Sequence, residues 1–555
     1  MPQRSRLCRP GSRCSPGARL ALACASVTLA VAFTALVPAH SADRPAPPAD
    51  AATYRRVLRA DPVTLDPARI SDAYGRTVAQ QIFDGLVQFD QTLTVVPALA
   101  RHWKASRDGL TWTFTLRQGV RFHHGREMSA DDVVFTFTRL LDPAVKSGAA
   151  ELFGNIRGAA DFRAGRAQTV SGLTALDRYT VQVVLNEAVG SFVSAAAVGH
   201  AKIVPRDVVE QQRESFGTQP VGTGPFKFIG WTRAREIVLG ANHEYFDGPP
   251  RLGRLVYRVY TGERADQYYD DFKRGELEDV APPTHLSAAE FRRVAADPSH
   301  VYVKRSLQSV RFYGFNVKAE PVNARLVRQA IAHAVDRDTI IGDLYQGRMI
   351  AARGILPPGM FAYNPKLTGY AYDPARARAL LAQAGYPEGR GLAPVTIWST
   401  VKDERVVREH ELIKKNLGAV GIHAEFQYQT DWPAFSKLLN DRRLPGFLYA
   451  WFADVPDPDS FLTKLFQSTS RWNYTGYANP VVDELLAKAI RTTDPLQRAE
   501  IYRKAEQLIM DDAPVLPIWH YVYERLFQPY VRDVEVSSFG DPYIPFRKVW
   551  LERPR

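Results

Sequence analysis

Polar and apolar residues alternate along Thr111–Leu116 (TWTFTL), where Trp112, Phe114 and Leu116 are separated by threonines. A period of two is the mark of a half-buried strand. Tyr179–Leu185 (YTVQVVL) and Leu255–Tyr260 (LVYRVY) carry the same pattern. Elsewhere the period lengthens. In Asn323–Ile341, Leu326, Ala330 and Ala334, with Val327, Ile331 and Val335 beside them, recur at i+4, which predicts a helix with one buried stripe. Asp373-Pro374 supplies a cap and a first-turn proline ahead of Ala377, Leu380, Leu381 and Ala384, and Gly385 ends that helix. The same start signal returns at Asn479-Pro480 and Asp494-Pro495. Strands and helices are mixed throughout with no fixed repeat, so the expected architecture is α/β with at least two lobes.

The first 42 residues follow another pattern. Residues 1–19 are Arg-rich and acid-free, Leu20–Val37 is almost wholly apolar or small, and Val37-Pro38-Ala39 and His40-Ser41-Ala42 each end in a small residue. This is the layout of a secretory signal peptide, cleaved after Ala39 or Ala42. An uncleaved anchor helix is the alternative, because the apolar stretch is longer than usual. All three cysteines, Cys8, Cys14 and Cys24, fall inside this segment, so the exported chain carries no thiol. Cys24 opens the apolar core instead of closing it, which argues against a lipid anchor. Residues 43–52 (DRPAPPADAA) form a Pro/Ala tether. No second apolar run long enough for a membrane follows, and a soluble periplasmic protein is expected.

Composition narrows the class. The 555 residues are 45% hydrophobic and 23% charged, which excludes disordered, collagenous and coiled-coil chains. The net charge of +12 falls to +7 once the five arginines of residues 1–42 are removed. The remaining basic residues alternate with acids, so nucleic acid is not an expected partner.

Catalytic patterns start and break off. His410-Glu411 opens like a zinc-protease helix, but Lys414 stands where the second histidine belongs, and the segment is read as a solvated helix face. His123-His124 with Glu127 lacks a third ligand, and Arg126 adds a repelling charge. Gly222-Thr223-Gly224-Pro225 has the glycines of a phosphate loop without its Gly-Lys-Ser/Thr end, and Pro225 removes a backbone donor. No Gly-x-Ser-x-Gly turn occurs. Binding without catalysis, metal or cofactor is the expectation, with an exported hydrolase built from scattered residues as the alternative.

A series of stretches, read in order, resembles the extracellular solute-binding proteins of family 5, which serve ABC importers of peptides and nickel. They include Thr64-Leu65-Asp66-Pro67-Ala68, Phe83-Asp84-Gly85-Leu86, Val96-Pro97-Ala98-Leu99-Ala100, Asp108–Phe114 and Ser129–Phe135. Further on come Val221–Phe226, Gly314-Phe315-Asn316, Arg328 through Asp336, Asp457-Pro458-Asp459 and Ala513–Pro517. The resemblance implies a two-lobed periplasmic-binding fold of type II, in the large peptide-binder variant with an extra subdomain in the first lobe. By that analogy residues 53–305 form lobe 1, with the subdomain at about 94–221 and completion by 520–555, and residues 306–519 form lobe 2.

The resemblance also implies site residues. Peptide binders of this family often hold the ligand's α-ammonium with the aspartate of a Trp-x-x-Asp segment, and Trp451-Phe452-Ala453-Asp454 stands at the matching place. A carboxylate beside aromatics, shut from water on closure, would make a charge-assisted bond that water no longer screens. The plainer reading is that Asp454 caps a loop before Pro456. Trp432 matches a second pocket aromatic, with core packing as its alternative. Ser71, Asp72 and Ala73 align with a segment that offers backbone hydrogen bonds to an extended peptide, or else form a turn.

The departures concern the peptide carboxylate. Leu439 and Leu448 occupy the positions where oligopeptide binders place cations, and the dipeptide-type arginine position falls near Thr400, leaving Lys402, Arg442 or Arg443 as substitutes. The implied protein is a monomeric periplasmic receptor that delivers a short peptide to an inner-membrane ABC permease with its ATPase subunits. A metal chelate, opine, glutathione, haem or sugar is the alternative ligand, since fold alone does not fix the ligand.

Overall fold

The structure, a computed structural model, describes residues 52–552 apart from 284, 285 and 493. The export signal, the cysteines and all but the last residue of the Pro/Ala tether lie outside the described residues.

Two mixed sheets organise the chain. The first has seven strands in the spatial order Val301–Ser306, Val522–Phe527, Asp279–Val280, Thr53–Leu58, Arg254–Val259, Glu236–Ala241 and Phe226–Thr232. The second has six, in the order Ile350–Ala351, Val515–His520, Ser309–Phe315, Gly446–Phe452, Val395–Ser399 and Ala424–Tyr428. Ser309–Phe315 is buried along its whole length because antiparallel partners flank it and the large apolar core of this sheet covers it. The chain leaves the first sheet after Ser306 and enters the second at Ser309, then leaves it after His520 and re-enters the first at Val522. Leu307-Gln308 and Tyr521 are therefore the two crossings between sheets.

A third, four-stranded sheet, ordered Ala100–Ala105, Thr111–Leu116, Thr180–Val184 and Leu173–Asp177, closes over the helix Ala130–Leu141 around its own core. The alternation in Thr111–Leu116 is realised residue for residue, with Trp112, Phe114 and Leu116 buried. Asp373, Asn479 and Asp494 cap the helices Pro374–Gln383, Pro480–Arg491 and Pro495–Asp512, each accepting a hydrogen bond from the first helical turn. Gly385 follows the first of these in the left-handed region (φ 91°).

Two sequence expectations need correction. Asn323–Ile341 is not one helix: Arg325–Ala334 ends at Val335, and Asp336 caps a second helix, Arg337–Leu344, by accepting from Thr339 N at 3.1 Å. The i+4 spacing ran through a residue whose side chain competes for backbone donors. Nor is His410 on a solvated face. It is fully buried, stacked on Phe426 with centroids 4.0 Å apart and bonded to Tyr428 Oη at 2.8 Å, while Glu411 beside it pairs with Lys414 at 2.9 Å. Burial pushes the His410 imidazole down to about 3.

The glycines of Gly222-Thr223-Gly224 serve close packing. A Cβ at Gly222 or Gly224 would meet the Ile82 backbone at 2.0 and 2.5 Å, and Thr223 Oγ1 donates to the buried Asp84 at 2.8 Å. His123 is spent on the same loop, through Gly224 O at 2.9 Å. Among the described residues no group of three or more His, Cys, Asp and Glu converges as a metal site, and no helix is long and apolar enough to cross a membrane.

Candidate functional site

Strand register brings the site together. Phe452, last in Gly446–Phe452, pairs with Ser309, the first residue past the crossing, and Ala453 N donates to Gln308 O at 2.9 Å. Phe452 stacks on Tyr521 of the other crossing, centroids 5.3 Å apart. The segment 452–454 thus emerges where the chain passes between sheets. A cavity of about 530 Å3 opens there, lined by Phe452, Ala453 and Asp454 with Lys464 and Trp472 from the second-sheet side. Leu307 and Gln308 lie along it, and Ala73, Arg76, His200 and Tyr543 are among those facing it from the first-sheet side.

Asp454 has a partner already. Its carboxylate accepts from Lys464 Nζ, and the two side chains are 52% and 30% exposed. It caps no loop; Asp457 does that, accepting from Asp459 N at 3.0 Å. An ion pair this open contributes at most about 1 kcal/mol, so a ligand ammonium can compete for it at little cost.

Across the cavity the helix Ala73–Ile82 starts on Asp72, whose carboxylate accepts from Gly75 N at 2.7 Å and Val63 N at 3.3 Å. Ala73 lines the cavity; Ser71 and Asp72 do not, and the Asp72 side chain is spent as the cap. One turn on, Arg76 reaches the cavity with its stem against Gly199, whose ideal Cβ would lie 3.7 Å from Arg76 Cδ. His200 bonds Ile70 O through Nε2 at 2.9 Å. Burial holds its imidazole below the ordinary value, the Ile70 bond opposes this, and Arg76 and Asp454 push it down and up respectively.

The two tryptophans stand apart from the cavity. Trp451 is 8% exposed and donates its indole N–H to Ser460 O at 2.5 Å, supporting Trp472 edge-on at 5.8 Å. Trp432 opens the helix Trp432–Asn440, half exposed, and stacks on Tyr449 at 6.3 Å, which in turn contacts Trp451 and Tyr474. It joins the cavity only through this row of rings. Lys402 lies over the Tyr428 ring and Arg442 Nε donates to Asn473 O; neither they nor Arg443 line the cavity.

Sequence reading missed Arg76, His200, Lys464 and Trp472. Arg76 had a signal, lying one helical turn beyond Ala73 on a segment already singled out. The others come from separate segments that only the tertiary fold brings together. What the cavity offers is two open ion pairs, Asp454–Lys464 and Glu151–Arg471, one arginine, a histidine held below its ordinary value and aromatic faces, a set suited to holding a small polar solute with apolar parts.

Comparisons with known proteins identify the family. The model of bacterial extracellular solute-binding proteins, family 5 (middle), matches residues 94–473. Heme-binding protein A of Haemophilus influenzae is 30% identical over 503 residues, covering 86% of this chain and 89% of that protein. The dipeptide-binding protein of Escherichia coli is 29% identical over 478 residues, covering 82% and 86%. Among solved structures, HbpA2 from Haemophilus parasuis superposes with a TM-score of 0.81 at 28% identity, over 90% of this chain and all of that one. The fold is the two-lobed α/β fold of periplasmic binding proteins. With the match spanning more than half its length, the chain belongs to the bacterial extracellular solute-binding proteins of family 5.

Proposed function

We propose that the protein is the substrate-binding component of an ABC importer, exported by cleavage after Ala39 or Ala42, which captures a short peptide between two lobes and delivers it to a membrane permease. Lobe 1 comprises residues 53–305, with an extra subdomain at 94–221, and is completed by 520–555; lobe 2 comprises 306–519. The observation that carries the reading is the cavity at the crossings, with the half-exposed Asp454 carboxylate on it. Asp454 takes the ligand's ammonium from Lys464, Phe452 and Ala73 contact the peptide, Ser71 and Asp72 shape the segment leading to Ala73, and Trp451 and Trp432 buttress the aromatic row. The dipeptide-binding relative supports the choice of ligand. Closure is a population shift, because a ligand that touches both lobes favours the state in which both are close.

Thermal unfolding of ligand-stripped protein against short peptides tests this. A ligand at a hundred times its dissociation constant adds about 2.7 kcal/mol, a readily visible rise in midpoint. Free peptides should raise it and N-acetylated ones should not. If no peptide shifts the midpoint, the peptide reading falls and other small solutes take its place. N-terminal sequencing of the exported protein should begin at His40 or Asp43; an intact residue 1 would contradict cleavage.

A further inference from the structure

We propose that Arg76 is the seat of the ligand's carboxylate, so that the cleft selects zwitterions held between Arg76 on the first-sheet side and Asp454 on the second. This rests on the peptide reading above. The charge inventory of the cavity carries it. Of the two acids lining it, Asp454 is paired with Lys464 and Glu151 with Arg471 at 2.5 Å. In the unliganded cavity Lys464 is accordingly committed, and when the ligand's ammonium displaces it, it is left beside that ammonium at the opposite end from Arg76. Burial holds His200 below its ordinary value even against its bond to Ile70 O, so it supplies no lasting cation. Arg76 remains, and among the described residues no carboxylate lies within ion-pairing distance of it. Among the described residues it is the one uncompensated charge on the wall of the unliganded cavity, and it is positive.

Its geometry suits the task. The helix that carries it is fixed at its start by the Asp72 cap, and the stem rests against Gly199, whose N–H is itself directed at Tyr543 Oη at 3.3 Å. A guanidinium held this way keeps its fork free for a carboxylate and loses little side-chain entropy on pairing. His200 lies within electrostatic reach of both Arg76 and Asp454, which places the free cation and the ammonium anchor around the same cavity. A ligand carrying only positive charge would meet an unrelieved arginine; a zwitterion compensates both ends. None of the cations considered from sequence, Lys402, Arg442 or Arg443, reaches this cavity.

Titration calorimetry with di-, tri- and tetra-alanine, each as free acid and C-terminal amide, tests the assignment in wild type, Arg76→Gln and Arg76→Lys. For whichever length binds best, amidation should weaken wild-type affinity roughly ten- to hundredfold, the range of a charge-assisted hydrogen bond. Arg76→Gln should weaken the free acid by a similar factor and leave the amide almost unchanged, and Arg76→Lys should restore part of the loss. The unliganded unfolding midpoint of each variant reports whether the fold survives. Equal loss of acid and amide in Arg76→Gln, or wild-type affinity of that variant for the acid, would overturn the role of Arg76 while leaving peptide binding intact. If wild type binds none of the free acids, the peptide reading fails and the inference falls with it.

Discussion

Asp454 and Asp457 stand three residues apart, yet the regions they belong to differ in every physical respect. Asp457 is held by both arms of Arg498, at 2.7 and 2.8 Å, and Arg498 reaches on to Asp459 at 3.0 Å. Tyr502 donates to Asp459 as well, and the Asp457 and Arg498 side chains are almost wholly buried. Burial, then the neighbouring Asp457, pushes the Asp459 carboxyl up, and Arg498 opposes them. Asp454, by contrast, has one flexible lysine in an open cleft. Similar residues become scaffold where opposite charges are paired and shielded from water, and become a binding surface where the pairing is loose and wet. The clusters Arg56–Asp279–Arg525–Asp541 and Arg311–Glu409–Tyr345 belong to the first kind.

The sharpest way to break this contrast is to remove Arg498. Arg498→Ala strands the buried Asp457 and the partly buried Asp459, and a loss of about 3–5 kcal/mol in denaturant unfolding is expected. A loss below about 1 kcal/mol would mean the cluster is not the scaffold it looks to be.

Glu506 sharpens the same side. It is buried with no cation paired to it among the described residues, accepting from Ile355 N and Leu356 N at 2.8 Å each, and burial pushes its carboxyl from 4.5 up to about 7 against those two bonds. Below pH 4.5 the group is protonated folded or unfolded. Between 4.5 and 7 the folded chain alone keeps the proton, so this contribution to stability falls as pH rises and is lost above 7. Glu506→Gln should therefore gain on wild type across that window, by on the order of 3 kcal/mol, and level off above it. A pH-independent difference would contradict the assignment.

On the cleft side effects on stability are small. Asp454→Asn should change the unliganded unfolding free energy by less than about 1 kcal/mol. Smallest of all, Lys464→Met frees the Asp454 carboxylate and should raise affinity for free peptides by up to about fivefold, the worth of the open ion pair it removes. Weaker binding in that variant would show that Lys464 helps to hold the ligand.

The fold was legible wherever the signal is local. TWTFTL alternates because one face of the strand is buried, and three Asp-Pro or Asn-Pro starts became capped helices because cap and fixed φ act within one turn. The break at Asp336 was hidden because apolar spacing and capping pointed different ways. His410 was misread because the rings that bury it, Phe426 and Tyr428, lie on a strand beyond the end of its helix. At the cavity, Phe452, Ala73 and Asp454 were indicated by resemblance, whereas the ion pair with Lys464 and the open guanidinium of Arg76 depend on which segments face each other across the crossings. No spacing along the chain encodes that.

The claim that Asp454 takes the ligand's ammonium is tested most directly by a double cycle in calorimetry: wild type and Asp454→Asn, each with one binding peptide in its free and N-acetylated forms. If the carboxylate holds the ammonium, acetylation should cost wild type much of its affinity and cost Asp454→Asn almost nothing further, so that the two losses do not add. Equal losses on acetylation in both proteins, or an Asp454→Asn variant that binds the free peptide as wild type does, would contradict it.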